Sequence, residues 1–233
     1  MRPTKTTMAI PFKHLAALFV AASSFLAASR ILAQHTAPPQ DVATALIRLH
    51  VLGYWTDTTQ SAATYQNKQA IIAFQKVSRL KRTGILSEQV MTTLWRASIP
   101  VAKDSMHKRH VEVDLDRQVL LLVDSLDKVE RILAVSTGNG KQFFYPGKGL
   151  VRARTPRGHF RVYYKINGWR KSQLGLLYDP LYVTGGVAIH GAKEVPVIPA
   201  SHGCIRIPLF AANEMFRTTP IGTPVMIYGE NPS

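Results

Sequence analysis

Hydrophobic positions along this chain follow three patterns in succession. Between Leu15 and Ala28 ("LAALFVAASSFLAA") they are almost continuous. Over residues 40–97 they recur every three to four positions, the period of a helix with one buried face. Asp41 is placed to cap a helix whose inner face is Val42, Leu46 and Leu49, and Gly53 stops it. "NKQAIIAFQKVSRL" repeats the pattern with Ala70, Phe74 and Val77. Ser87 caps a third helix with Val90, Met91 and Leu94 facing inward. Three short helices make a small core, viable but marginal for its surface. "ASIPVAKDSMHKRH" then breaks all periodicity, and residues 98–109 are assigned as a linker. Its His107 and His110 have metal-ligand spacing but no acid or cysteine beside them, so a solvated charge run is expected.

From residue 110 to 229 the period becomes two. "VEVDLD" alternates Val111, Val113 and Leu115 with acids, and "VLLLV" is a more deeply buried strand. "DSLDK" is a turn and "VERILAV" the returning strand. "HFRVYYKI" is expected as one strand with Phe160, Val162, Tyr164 and Ile166 on a shared face. "GGVAIHG" and "CIRI" are short apolar strands, and "TPVMIY" closes the domain. Only "PLFAANEMFRT" is helical, with Pro208 in its first turn and Leu209, Ala212 and Phe216 inward. "WRKSQLGLLYDPLYVTGG", with Trp169, Tyr178 and Tyr182, is either a lid or groove wall or an ordinary hydrophobic cover. Apolar helices do not alternate with the strands, so a doubly wound sheet is excluded. The expected class is α+β overall: three helices, then a mainly β domain.

The first segment changes the cellular context. Arg2, Lys5 and Lys13 precede an apolar run of signal-peptide length, too short for a permanent span. Residues 1–33 are therefore expected to be a signal peptide cleaved near Ala33, with "AAS" as the competing site and an uncleaved anchor as the competing role. The mature chain would be exported to the periplasm or cell wall. The formal charge is +15, and removing residues 1–33 takes away Arg2, Lys5, Lys13 and Arg30 but no acid, leaving +11. Such a surface is drawn to polyanions. The basic residues are scattered and carry no nucleic-acid motif, so no nucleic-acid partner is expected.

Cys204, in "PASHGCIRIP", is the chain's one cysteine. It has no intrachain partner for a disulfide, and an exposed thiol outside the cell invites oxidation unless it has a use. Burial as a small hydrophobe competes with service as a nucleophile. A thiol of pKa about 8.5 is mostly protonated at neutral pH and needs a base. His202 lies two residues before it; His190, in "AIHGA", lies fourteen positions upstream. His190 is the expected base, because a strand ending there can set its ring beside the sulfur, whereas the ring of His202 sits on a turning backbone. Gly203 allows a backbone that other residues resist and aims amides at a developing oxyanion. Arg206 is one strand period past Cys204 and shares its face. There it would hold a substrate carboxylate or stabilise the thiolate, with a structural ion pair as the equal alternative.

These residues resemble the catalytic signature of the L,D-transpeptidases, bacterial enzymes that cross-link peptidoglycan. The likeness rests on "GGVAIHG", "SHGCIRI" and the upstream "TPRGHFRV", over about residues 110–229. It implies a β-sandwich with Cys204 as nucleophile, His190 as base and the Gly191 carbonyl orienting the imidazole. It also implies oxyanion amides at His202, Gly203 and Cys204, with Ser201 and His202 shaping the loop rather than transferring protons; Ser201 and Arg206 are the expected substrate contacts. Some members carry a serine where this chain has Gly191. The implied reaction acylates Cys204 with a tetrapeptide stem, releases D-alanine and transfers the acyl group to a second stem, forming a 3→3 cross-link. No metal or other cofactor is implied, and carbapenem-type inhibitors are expected to acylate the site. The helices, through "LHVLGYW", "QAIIAFQKVSRLKRTGILS" and "TTL", resemble a small peptidoglycan-binding domain that holds glycan strands. "TDTTQSAATYQN" replaces that family's glycine- and aspartate-rich loop, which keeps a helical spacer in contention. Two other activities compete: an L,D-carboxypeptidase using the same site, and a non-catalytic wall-binding protein. A papain-like peptidase is disfavoured, since there cysteine precedes histidine and opens a helix.

Overall fold

The structure, a computed structural model, describes residues 39–230. The expected signal peptide and its cleavage point lie outside the described residues. Three helices come first: α1 (Pro39–Val51), α2 (Tyr65–Val77) and α3 (Glu88–Arg96). Asp41 sits inside the first turn of α1 rather than at its cap, where its charge still meets the positive end of the helix dipole. Gly53, at φ +90°, ends that helix in a conformation glycine adopts without strain. Helix α2 begins two residues before the expected Asn67, capped by Thr64. Asn67 instead holds the preceding loop: it accepts from the Asp57 amide at 2.8 Å and donates to the carbonyls of Asp57, Gln60 and Ser61. Ser87 caps α3 as expected, its hydroxyl accepting from Val90 N–H.

The β region consists of two sheets and a hairpin. The first sheet has the order β3 (Val129–Ala134), β2 (Val119–Val123), β1 (His110–Asp114), β12 (Pro224–Tyr228), β6 (Gly158–Arg161). The second runs β11 (Ile205–Pro208), β10 (Val187–Ala192), β9 (Gly175–Thr184), β7 (Tyr164–Lys165), with β8 (Trp169–Ser172) also paired to β9. Strands β4 (Gln142–Tyr145) and β5 (Gly149–Arg152) form a separate hairpin. Val111, Val113, Leu120, Leu122 and Leu133 from the first sheet meet Leu181, Val183, Ile189, Ile205 and Ile207 from the second in one apolar core. The remaining helix, α4 (Leu209–Thr218), closes that core with Ala211, Ala212 and Met215.

Strand β2 explains why its sequence does not alternate. Leu120 and Leu122 point into the sandwich, while Val119, Leu121 and Val123 pack with Leu46, Leu49, Phe74 and Leu94 of the helices. Both faces are buried, so both are apolar. The molecule is thus α+β, with three helices laid on the outer face of a sandwich sheet.

Several expectations change. "HFRVYYKI" is two strands, because the chain changes sheets within it: Val162 N–H bonds Thr223 O, and Tyr163 N–H bonds Tyr182 O. Tyr164 is consequently exposed rather than inward. Pro208 caps α4 rather than opening its first turn, and Ala211 and Met215 join Ala212 as the buried stripe while Leu209 and Phe216 are half-buried. The segment read as a lid or groove wall, or else a hydrophobic cover, supplies β8 and β9 and does both: Leu177, Leu181 and Val183 are core, while Trp169 and Tyr182 line a cleft. His110 is not solvated: it begins β1 fully buried, its ring against Lys108 O and Glu112. Glu112, also buried, accepts the amides of Lys103 and Asp104 and pins residues 103–104 to the sheet. His107 is exposed and pairs with Asp127 at 2.8 Å.

Candidate active site

Strands β10 and β11 run parallel, with Ile189 beside Ile205 and His190 beside Arg206. Both isoleucines point into the sandwich core. Alternation then sends Ala188, His190, Cys204 and Arg206 to the opposite face. Cys204, the residue just before β11, and His190 of β10 both line a cleft of about 870 Å³. The strand register, set by core isoleucines, delivers the pair.

His190 is almost fully buried. Its Nδ1 lies 3.0 Å from the Gly191 carbonyl. A carbonyl only accepts, so Nδ1 carries the hydrogen and Nε2 keeps the lone pair. Burial lowers the imidazole pKa to about 4, the Gly191 hydrogen bond opposing and the Arg206 charge reinforcing that change. The ring is a neutral, single-tautomer base throughout the neutral range. Gly191 can be nothing larger: a Cβ there would lie 2.7 Å from Ala212 Cβ on α4 and 3.2 Å from Tyr178 Cδ1. A serine would have no space here.

The Cys204 sulfur borders the cleft and contacts Gly186 O at 3.8 Å. Burial raises its pKa, while the Ala188 amide and the Arg206 guanidinium pull it back. Both shifts disfavour charge, so the resting pair is thiol and imidazole rather than thiolate and imidazolium. Arg206 lines the same cleft, and no described carboxylate lies within 4.0 Å of its guanidinium. The ion-pair alternative does not hold.

The loop before Cys204 is built tightly. Gly203 has φ +138°, and a Cβ there would stand 3.0 Å from Arg154 O. Its amide, expected to face an oxyanion, is taken by Ser201 Oγ at 3.0 Å. Ser201, expected to shape the loop and to touch substrate, donates that hydroxyl to Cys204 O at 2.6 Å. Its role is to buckle the loop. The exposed His202 ring lies against Phe143 of the β4–β5 hairpin, centroids 4.5 Å apart, on the cleft wall.

Other supports were not assigned from sequence. Thr155, in the "TPRG" stretch, is buried; its hydroxyl donates to Gly203 O at 2.8 Å and accepts from Gly138 N–H at 2.9 Å. Gly138 sits so close to Ala153 O that a Cβ would lie 2.4 Å away. Thr137 O accepts the amides of Ala200 and Ser201, and Asn139 N–H bonds Ser201 O. "STGNG" after β3 and the threonine of "TPRG" were the available signals: small residues where backbones approach closely.

The cleft walls are the β4–β5 hairpin on one side, with Phe143 and Tyr145, and the β8–β9 hairpin on the other, with Trp169 and Leu176. Lys148, Arg152, Arg170, Lys193 and Arg206 line it against a single acid, Glu194. Among the described residues no cluster of three or more His, Cys, Asp or Glu is placed to hold a metal.

A cysteine and a histidine thus face one cleft at the mouth of a β-sandwich. The model of the YkuD family, described as the L,D-transpeptidase catalytic domain, matches residues 108–227, just over half of the chain, and the chain belongs to that family. A crystal structure of an L,D-transpeptidase from Xylanimonas cellulosilytica is similar at 38% identity and TM-score 0.76, covering 83% of this chain and 94% of that one. That coverage runs well beyond the residues of the family match. An L,D-transpeptidase from Stackebrandtia nassauensis is similar at 22% identity and TM-score 0.48, over 82% of this chain and 91% of that chain. No curated protein matched.

Proposed function

We propose that the chain is an exported L,D-transpeptidase that forms 3→3 peptidoglycan cross-links through a thioester on Cys204. The observation that carries this reading is that Cys204, immediately before β11, and His190 of β10 line one cleft, with the imidazole fixed as the Nδ1–H tautomer by Gly191 O. A tetrapeptide donor stem lies between the two hairpin walls, its carboxylates drawn by the cations that outnumber Glu194. Cys204 Sγ attacks the carbonyl of the stem's third residue as its proton passes to His190 Nε2. The amides of His202 and Cys204 receive the oxyanion, since Gly203 N–H is already engaged. The carbon–nitrogen bond to D-alanine breaks, and the proton on Nε2 goes to the departing amine. An amine of an acceptor stem then attacks the thioester. The new amide forms, the carbon–sulfur bond breaks, and a proton returns through His190 to the sulfur. The three-helix segment brings the enzyme to glycan strands.

The chain from residue 34 onward, mixed with a disaccharide-tetrapeptide, is expected to release D-alanine and accumulate cross-linked dimers by mass spectrometry. Cys204→Ala should yield neither. D-alanine without dimers would make the protein an L,D-carboxypeptidase, with water resolving the same thioester. No product from the wild type would overturn the enzymatic reading.

A further inference from the structure

Lys76, on α2, is 1% exposed, and its ammonium reaches carbonyls 42 and 59 positions along the chain. Its Nζ donates to Val135 O at 2.7 Å and to Gln118 O at 3.1 Å. These two carbonyls flank the open end of the β2–β3 hairpin, where Val135 N–H also bonds Gln118 O. Gln118 stands at φ +60°, a region non-glycine residues seldom occupy. That backbone turns its side chain inward, where Nε2 donates to Thr137 Oγ1 at 2.7 Å and Oε1 accepts Thr137 N–H at 3.0 Å. Thr137 O in turn accepts the amides of Ala200 and Ser201, and Ser201 Oγ links Gly203 N–H to Cys204 O. Gln118, Thr137 and Ser201 are all buried. An unbroken set of hydrogen bonds runs from the helical segment to the backbone of the reactive thiol.

We propose that Lys76 is a positioning residue for the Cys204 loop: it clamps the carbonyls of Gln118 and Val135 and, through Gln118 and Thr137, sets where residues 200–204 lie. The proposal rests on Cys204 being the nucleophile. A methionine would fill the same apolar space without a buried charge to desolvate, so the ammonium is held against its hydration for the bonds it makes. Burial, with Arg82 nearby, lowers its pKa to about 7. Arg82 makes a second tie from the helical segment, donating to Val197 O at 2.9 Å in the segment leading to the loop. Through Lys76 the helices act on the reaction, and their contribution is separable from any glycan they hold.

The test is the rate of Cys204 acylation by imipenem, followed by intact mass on the full mature chain, for Lys76→Met, Thr137→Val and the double variant. Lys76→Met and Thr137→Val are each expected to slow acylation at saturating imipenem by roughly tenfold to a hundredfold, as a small misplacement of a reacting group does. The final fraction acylated and the imipenem concentration giving half-maximal rate should stay at wild-type values. The double variant should be no slower than the slower single one, since both interrupt one path. A lower acylated fraction at wild-type rate would reduce Lys76 to a folding role and overturn the proposal, as would slowing in the double variant equal to the product of the singles. If Lys76→Met does not fold, Thr137→Val decides: a wild-type rate there refutes the path. A wild type that is never acylated removes the Cys204 nucleophile itself, a failure distinct from variants that react as fast as wild type.

Discussion

An imidazole accepts a proton only where its lone pair is free, and at His190 burial and the Gly191 carbonyl leave Nε2 in that state. The Gly191 carbonyl fixes Nδ1–H, and burial keeps the ring unprotonated down to about pH 4. Gly191 holds that carbonyl in place because α4 packs directly on its Cα side, with Ala212 Cβ in the space a side chain would need. Gly191→Ala is therefore expected to push α4 away, costing about 1–3 kcal/mol as overpacking does, and to slow Cys204 acylation. Thermal unfolding and acylation by intact mass check both effects. Adding Ala212→Gly should recover part of each loss, although Leu209 Cδ2 would remain 3.1 Å from the new methyl group. A Gly191→Ala protein as stable and as fast as wild type would contradict the steric account. Strand pattern pointed to Cys204 and His190, and the family resemblance to the Gly191 carbonyl that now meets His190 Nδ1. Neither revealed that Ser201 and the Gly203 amide bind each other, since such a bond depends on a loop conformation that no periodicity encodes.

At the scale of elements, β2 decides the architecture. Its "VLLLV" run was legible as deeply buried, but its second covering, the helices, was not, because a residue's burial does not name its partner. The β4–β5 hairpin went unassigned: its burial alternates between exposed and half-buried, so it contributes a cleft wall and no core signal. "HFRVYYKI" read as one strand because period two survives the passage from one sheet to the other at Val162 and Tyr163. Removing residues up to 97 would expose Val119, Leu121, Val123, Ile132 and Ala134 together. Each large aliphatic side chain so exposed forfeits about 1.5–3 kcal/mol. The fragment 98–233 is accordingly expected to aggregate or to melt far below the longer chain, by size-exclusion chromatography and thermal unfolding. A monodisperse fragment with an undiminished acylation rate would contradict both the shared core and the Lys76 path.

For the molecule as a whole, the strand register puts thiol and imidazole at one mouth, the hairpins wall it, and the basic lining suits acidic peptides. The account turns on a neutral His190 beside a protonated Cys204, and the pH dependence of Cys204 acylation in the wild type tests this most directly. A base whose pKa is lowered to about 4 loses its lone pair only near that pH, and a thiol whose pKa is raised ionises only above its ordinary value. The rate of imipenem acylation, read by intact mass, should be flat from about pH 5.5 to 8 and fall toward pH 4. An acid limb centred near 6.5, the ordinary histidine value, or a thiol that imipenem never modifies, would contradict it.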